Sequence, residues 1–292
     1  MGSRARRPNT VADEVAAAFQ HVRADRVRGA QALALDALRT LQRLLARWAA
    51  RRAILPSPRG LAGAVSRVLE QTQPAMGPFA RWAREWRRMA RAHARGTWLG
   101  RAQVWVRREL HRIRAENSGL GRTCRRRFPV AARHVVTISR SRSVLEALRA
   151  LPRPLRPSQI SVLESLPGGE GRMFARDLRR AGFSARTIPD RDGVDTVRSA
   201  DLLVLGADAV AADGSVVHKV GTRALAEAAA RSGIGVVVIA GRSKFTGRSA
   251  PRKHLPPGFD RTPARWISEY WTDAGPQPGR RSLPRGARPP SH

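Results

Sequence analysis

Apolar residues recur at helical spacing through the first 120 positions. In VRGAQALALDALRTLQRLLARWAARR, Leu38, Leu41, Leu45 and Trp48 share one face and Arg39, Arg43 and Arg47 lie beside them, which predicts an amphipathic helix docked on an apolar surface. Pro56, Pro58 and Gly60 close that segment. GPFARWAREWRRMARAHARG follows, with Trp82, Trp86 and Met89 on one stripe and Arg81, Arg84, Arg88, Arg91 and Arg95 on another. TWLGRAQVWVRRELHRIRAE continues the helical pattern toward Gly119 and Gly121. After Pro129 the period changes. HVVTI, ISVLES, SARTIPD, DLLVLGAD and GVVVIAG alternate with helical runs such as SVLEALRAL, GRMFARDLRRAG and TRALAEAAARSG. Short apolar strands separated by helices predict a parallel sheet with helical crossovers, because parallel strands cannot be joined by tight turns.

The expected fold is α/β: an N-terminal helical domain over 10–122, followed by a Rossmann-like parallel-sheet C-terminal domain over 130–273. A basic start, 1–9, and a Pro/Gly/Arg-rich segment, 274–292, are expected to be disordered. The 292 residues, 42% apolar, suffice to bury both cores. No internal repeat is visible.

Charge narrows the partners. The formal net charge is +33, and Lys219, Lys244 and Lys253 are the only lysines among 55 basic residues. A field of that sign favours phosphorylated metabolites, nucleic acid or acidic protein without choosing among them. Cys124 is the only cysteine, so no intrachain disulfide and no cysteine-rich metal site can form. No metal or cofactor is expected. MGSRARRPNT lacks an apolar signal core, and no run approaches a membrane span, so a cytoplasmic protein is expected.

In open parallel sheets ligands bind beyond the carboxyl ends of the strands. Four such places carry chemistry. After HVVT come Ser139, Arg140, Ser141, Arg142 and Ser143, hydroxyls and guanidiniums suited to a phosphate at a helix start; an N-cap serine beside solvated arginines fits the same residues. After ISVL comes ESLPGGEGR, residues 164–172, a glycine-rich loop opening a helix without the Lys-Ser/Thr ending of a nucleoside-triphosphate loop. After DLLVL comes Asp208, placed for general acid or base work or, alternatively, for a turn or helix cap. Lys219 then precedes a helix whose N-terminus can hold an anion and which Thr222 can cap. The competing reading there is a hairpin at Asp213-Gly214 and an ordinary strand SVVHKV.

Five segments in this order resemble the superfamily that joins the alpha, beta and delta subunits of translation initiation factor 2B to methylthioribose-1-phosphate isomerase and ribose-1,5-bisphosphate isomerase. They are TISRSRSVLEAL, ESLPGGEGRMFARDLRRAGF, LLVLGADAVAADGSVVHKVGTRALA, VVVIAGRSKF and FDRTPARWI. Before residue 120 only VRGAQALA is similar, around Arg28 and Gly29. The resemblance implies a helical domain on a Rossmann-like domain, assembly into homo- or hetero-oligomers, and a phosphorylated small-molecule ligand. It makes Asp208 the aspartate of the isomerases' Gly-Ala-Asp element, Lys219 their following lysine, and Arg28 and Gly29 their phosphate-contacting element.

Other positions depart from the isomerase pattern. Ser139 stands at the place of the catalytic cysteine, Leu166 at an arginine, Glu170 at a glutamine, His218 at an asparagine and Gln73 at a further phosphate arginine. Ser141-Arg142 and Ser243 to Phe245 instead resemble the initiation-factor subunits. Aldose-to-ketose conversion needs one group to give a proton and another to take one. Asp208 supplies one; a serine hydroxyl is a poor substitute for the thiol. The expected substrate-binding set is therefore Arg28, Gly29, Arg142, Glu170, His218 and Lys219, with Asp208 and Ser139 at the catalytic positions. Three functions follow: a phosphorylated sugar- or nucleotide-binding protein with regulatory or altered catalytic behaviour, a divergent sugar-phosphate isomerase using Asp208, and a nucleic-acid binder using the arginines.

Overall fold

The computed structural model describes residues 10–25, 29–50, 57–72, 75–92, 95–247 and 255–280. The expected disordered start and residues 281–292 of the expected tail lie outside them, as do Arg28 and Gln73. Two compact units divide the chain: Met1–Asp25, Leu33–Pro74 and Pro78–Arg112 form the first, and Arg26–Ala32, Ala75–Gly77 and Ile113–His292 the second.

The first unit is helical. It contains α1 (Val11–Ala24), α3 (Pro58–Thr72) and most of α2 (Ala30–Ala50), α4 (Gly77–Ala92) and α5 (Arg95–Arg127). Thr10 and Asp13 form a capping box at the start of α1, so two otherwise orphan backbone donors are satisfied. The expected apolar stripe of α2 is fully buried at Leu38, Leu41, Leu45 and Trp48. Trp82 and Trp86 are also fully buried, and Trp86 meets Trp98 and Trp105 edge-on at 5.7 and 5.8 Å between centroids. Arg81, on the arginine stripe of α4, is largely buried. Its guanidinium reaches Glu109, 2.5 Å away and buried, which also accepts from Trp82 Nε1 at 3.0 Å. Burial opposes ionisation of Glu109, but the Arg81 hydrogen bond and charge hold its carboxyl below the usual range.

The second unit is the α/β domain. It runs β1 (His134–Ile138), α6 (Arg142–Arg149), β2 (Gln159–Leu163), α7 (Glu170–Arg180), β3 (Ala185–Ile188), α8 (Gly193–Arg198), β4 (Leu202–Leu205), β5 (Ala209–Val210) and β6 (Val216–Lys219), then α9 (Thr222–Arg231), β7 (Gly235–Ile239), β8 (Phe259–Thr262), β9 (Glu269–Thr272) and β10 (Gly275–Pro278). The main sheet has the order β10-β9-β7-β4-β1-β2-β3, parallel except for β10. Alternate residues of each strand point to opposite faces. Val135, Ile160, Val162, Leu202, Val204, Val237 and Ile239 thus pack with α6, α7 and the end of α5, while Val136, Leu203, Leu205, Val236 and Val238 pack with α8 and α9. Continuous apolar runs such as LLVL are read as strands buried on both faces.

Two boundaries differ from expectation. α5 continues through Gly119 and Gly121 to Arg127, past the expected domain end at 122. A Cβ on Gly119 would lie 2.5 Å from the Asp273 carbonyl oxygen, and one on Gly121 2.8 Å from Ala150 Cβ, so these glycines permit close packing rather than ending the helix. The tail expected from 274 includes an ordered strand. β10 pairs antiparallel with β9, and Pro276 and Pro278 are tolerated because this strand is the sheet edge.

Candidate functional site

The strand order reverses between β1 and β4: the chain proceeds from β1 outward through β2 and β3, then returns to β4 and proceeds through β7. A crevice therefore opens beyond the carboxyl ends of β1 and β4. It is a cleft of about 50 Å³, lined by Gly29 to Gln31, Ile138 to Arg142, Leu205 to Asp208, His218, Lys219, Thr222 and Lys244. All of these belong to the second unit.

The loop after β1 is held in an unusual conformation. Ser139 has φ of 65°, in the left-handed region, and its N–H donates to Ser165 Oγ at 2.8 Å. Ser165 also has positive φ, and its N–H and that of Leu166 each donate to the Asp190 carboxylate at 2.7 Å. Ser139 Oγ donates to Glu170 Oε1 at 3.3 Å. Ser141 is the N-cap of α6, accepting from Val144 N–H, so the capping reading of that serine holds while its neighbours still line the cleft. Arg140 donates to Asp177 at 2.8 Å; Arg142, half exposed, lies 3.8 Å from Glu146. Gly29 packs where a Cβ would stand 2.5 Å from the Arg140 carbonyl oxygen, which brings the chain before α2 onto this loop.

The glycine-rich loop after β2 works differently from an anion cradle. A Cβ on Gly171 would stand 1.7 Å from the Leu163 carbonyl oxygen, so that glycine lets α7 pack against β2. The loop's contribution to chemistry is Glu170, the first residue of α7. It is buried, and its Oε1 accepts from Lys219 Nζ at 2.6 Å; its Oε2 is buried with no hydrogen-bond partner.

Asp208 is not a helix cap, because a hairpin of β5 and β6 follows it rather than a helix. Its backbone is fixed on both sides: its N–H donates to Val217 O at 2.8 Å and its carbonyl accepts from Gly77 N–H at 3.0 Å. The carboxylate has no hydrogen-bond partner among the described residues. Burial pushes its pKa up to about 6; Lys244 and Lys219 oppose the rise and Glu170 adds to it.

Lys219 and His218 come from β6, which lies in a separate antiparallel sheet, β5-β6-β8, rather than at the rim of the main sheet. The hairpin reading of Asp213-Gly214 holds. His218 lines the cleft, but Nδ1 bonds the Gly206 carbonyl at 3.1 Å and Nε2 bonds Thr262 Oγ1 at 2.7 Å. Burial lowers its pKa to about 4, so the ring is neutral: Nδ1–H donates to the carbonyl and Nε2 accepts from the hydroxyl. The expected anion seat at the start of α9 is filled from within. Asp260 Oδ2 accepts from Gly221 N–H at 3.1 Å and Arg223 N–H at 3.2 Å, and the N-cap is Gly221 rather than Thr222. Thr222 Oγ1 instead donates to the Lys219 carbonyl at 2.6 Å.

Lys244 is the site residue that sequence reasoning missed. It sits in a 3-10 turn after β7, is buried, and donates to Ser143 Oγ at 3.2 Å. Burial pulls its pKa down. A signal was present: with three lysines among 55 basic residues, two line this cleft. Cys124, by contrast, is buried in the core beside Phe128 and Val135, away from this chemistry. No described helix is long and apolar enough to cross a membrane, and no cluster that could hold a metal occurs among the described residues.

The model of the initiation factor 2 subunit family matches residues 26–257. Among curated proteins, the chain is 36% identical over 135 residues to methylthioribose-1-phosphate isomerase of Gemmatimonas aurantiaca, covering 38% of this chain and 39% of that protein. It is 34% identical over 111 residues to a putative translation initiation factor eIF-2B subunit 2-like protein of Pyrococcus horikoshii, covering 38% and 40%. It is 26% identical over 167 residues to ribose 1,5-bisphosphate isomerase of Archaeoglobus fulgidus, covering 49% and 53%. The chain thus spans about half or less of the length of these relatives. Among solved structures, the translation initiation factor eIF-2B of P. horikoshii superposes with a TM-score of 0.74 at 22% identity, over 93% of this chain and 98% of the other. The tetrameric eIF2B-beta2-delta2 complex of C. thermophilum follows with 0.71 at 15%, over 92% of each chain. 5-Methylthioribose 1-phosphate isomerase of P. horikoshii gives 0.65 at 20%, over 90% and 84%. At these identities the superpositions establish the fold alone.

Proposed function

We propose, since this chain belongs to the initiation factor 2 subunit family, that it binds a phosphorylated sugar or nucleotide in the cleft at β1 and β4, and that its role is regulatory or its catalysis altered. The observation that carries this reading is the Asp208 carboxylate, held by its backbone in a cleft with Lys219 and Lys244 and without a hydrogen-bond partner among the described residues. Structural carboxylates are normally satisfied by donors. One left facing a cleft of ammonium groups is available to a ligand. Lys244, buried beside Ser143, supplies a phosphate-binding cation, and the α6 start adds backbone N–H groups favourable to an anion.

Altered catalysis follows from the second proton-transfer position. Ser139 takes the place where the isomerases it resembles carry cysteine, and its hydroxyl donates to a carboxylate already paired with Lys219. His218 has both nitrogens engaged and cannot substitute. Glu170 is already engaged by Lys219 at 2.6 Å and by the Ser139 hydroxyl. A second reading, a divergent aldose-ketose isomerase, is favoured by one observation: a pKa of about 6 suits Asp208 to general acid–base work near neutral pH. Assembly with further copies or with related chains is part of the proposal, supported by the tetrameric complex among the structural neighbours.

The test is a thermal-shift screen against sugar phosphates and nucleotides, followed by isomerisation assays of hits with wild type and Asp208→Asn. Binding without turnover supports the first reading. Turnover that Asp208→Asn abolishes supports the second. Absence of any shift with a phosphorylated compound refutes both.

A further inference from the structure

Four cationic side chains line the cleft: Arg140, Arg142, Lys219 and Lys244. Three already face carboxylates, with Arg140 at 2.8 Å from Asp177, Arg142 at 3.8 Å from Glu146 and Lys219 at 2.6 Å from Glu170. Lys244 is different. Its ammonium donates to the Ser143 hydroxyl, and the carboxylates that act on it, Asp208 and Glu116, lie beyond ion-pair distance.

The pair at Lys219 is the most enclosed of the three, with side-chain exposures of 14% and 6%. Glu170 Oε1 also takes the Ser139 hydroxyl, so the carboxylate is held from two sides on the lysine that an anionic ligand group would seek. Its other oxygen is buried without a partner, a cost that the Lys219 and Ser139 contacts offset.

We propose that Glu170 is a resident counter-ion: it occupies Lys219 in place of a second anionic group of the ligand, so the cleft takes a sugar carrying one phosphoryl group, seated at Lys244, and discriminates against bisphosphates. The inference rests on the reading that this cleft binds a phosphorylated sugar. A second phosphoryl group would have to pull Lys219 from Glu170, leaving a buried carboxylate without its cation, or lie against Asp208 with no unpaired ammonium to neutralise it. Hydroxyl groups at that end of the ligand incur neither cost. Glu170 is therefore a specificity-determining residue, legible only because α7 starts where β6 delivers its lysine.

The test is calorimetric titration of ribose 5-phosphate and ribose 1,5-bisphosphate into wild type and Glu170→Gln, whose amide keeps the shape and removes the charge. Wild type is expected to bind the monophosphate at least about tenfold more tightly, and in the variant the bisphosphate is expected to gain about tenfold or more relative to the monophosphate. If wild type binds the bisphosphate as tightly as the monophosphate, the inference is overturned and the cleft reading stands. An unchanged preference in a variant that melts cooperatively overturns it too. Should the variant not fold, the wild-type preference decides alone. Failure of wild type to bind either compound overturns the cleft reading and this inference together.

Discussion

Asp208→Asn should stabilise the folded chain while weakening the site. The Asp208 carboxyl rises from an ordinary 3.8 to about 6, so between those pH values the folded chain holds a proton that the unfolded chain has released. Stability therefore falls as pH rises through this window, and the loss is complete above about pH 6. About two units at 1.36 kcal/mol each make the ionised carboxylate cost about 3 kcal/mol at neutral pH. That figure already contains the attraction to Lys244 and Lys219, since it is the net effect of the surroundings on the charge. Asparagine carries no charge to desolvate, so at neutral pH the variant should melt about 5–10 °C above wild type. The assay is thermal unfolding of both proteins at a series of pH values. The difference in Tm should be near zero at about pH 4 and reach its full size at about pH 7, following the Asp208 titration. A difference that does not vary with pH, or a variant that melts below wild type at neutral pH, would refute the assignment of Asp208 as an ionised group whose burial outweighs the attraction of Lys244 and Lys219. Loss of phosphorylated-ligand binding in the same variant would show that the cost is retained for function.

Three further outcomes test the framework around the site. Gly171→Ala should destabilise by about 3 kcal/mol or more in urea unfolding, because the added methyl meets a backbone carbonyl of β2 that cannot move without shifting the strand. Glu109→Ala should cost about 2 kcal/mol by the same measurement, since it leaves the buried Trp82 N–H without its acceptor and the Arg81 guanidinium with Glu85 alone. Burial pushes the Cys124 thiol well up, so thiol reagents should label the native protein only at the rate of unfolding, and labelling on mixing would contradict its place in the core.

Much of the fold was legible in the chain because period is a local property. The spacing of Leu38, Leu41, Leu45 and Trp48 and the unbroken run LLVL report which faces are buried, and both were found buried. The tail was misjudged at 275–278 because proline argues against a strand unless that strand lies at an edge, and edge position is not a local property. At the site, Asp208 and Lys219 were visible from their places after apolar runs and from the resemblance. Other assignments depended on partners far along the chain: Thr222 lost its capping role to Gly221 and Asp260, and His218 was committed to Gly206 and Thr262. Lys244 went unselected because nothing in SKF reveals that the chain after β7 turns toward Ser143.

The sequence by itself determined the α/β class, the alternation of β1 to β4 and β7 with their helices, and the strand ends where chemistry could gather, because hydrophobic periodicity and glycine placement act within a few residues. The tertiary structure alone decided the pairing of charges: Glu170 with Lys219 across 49 positions, and Lys244 left with a hydroxyl. Electrostatic partnership depends on distance in space, and that is set only when α6, α7 and β6 have been brought together by the packed sheet.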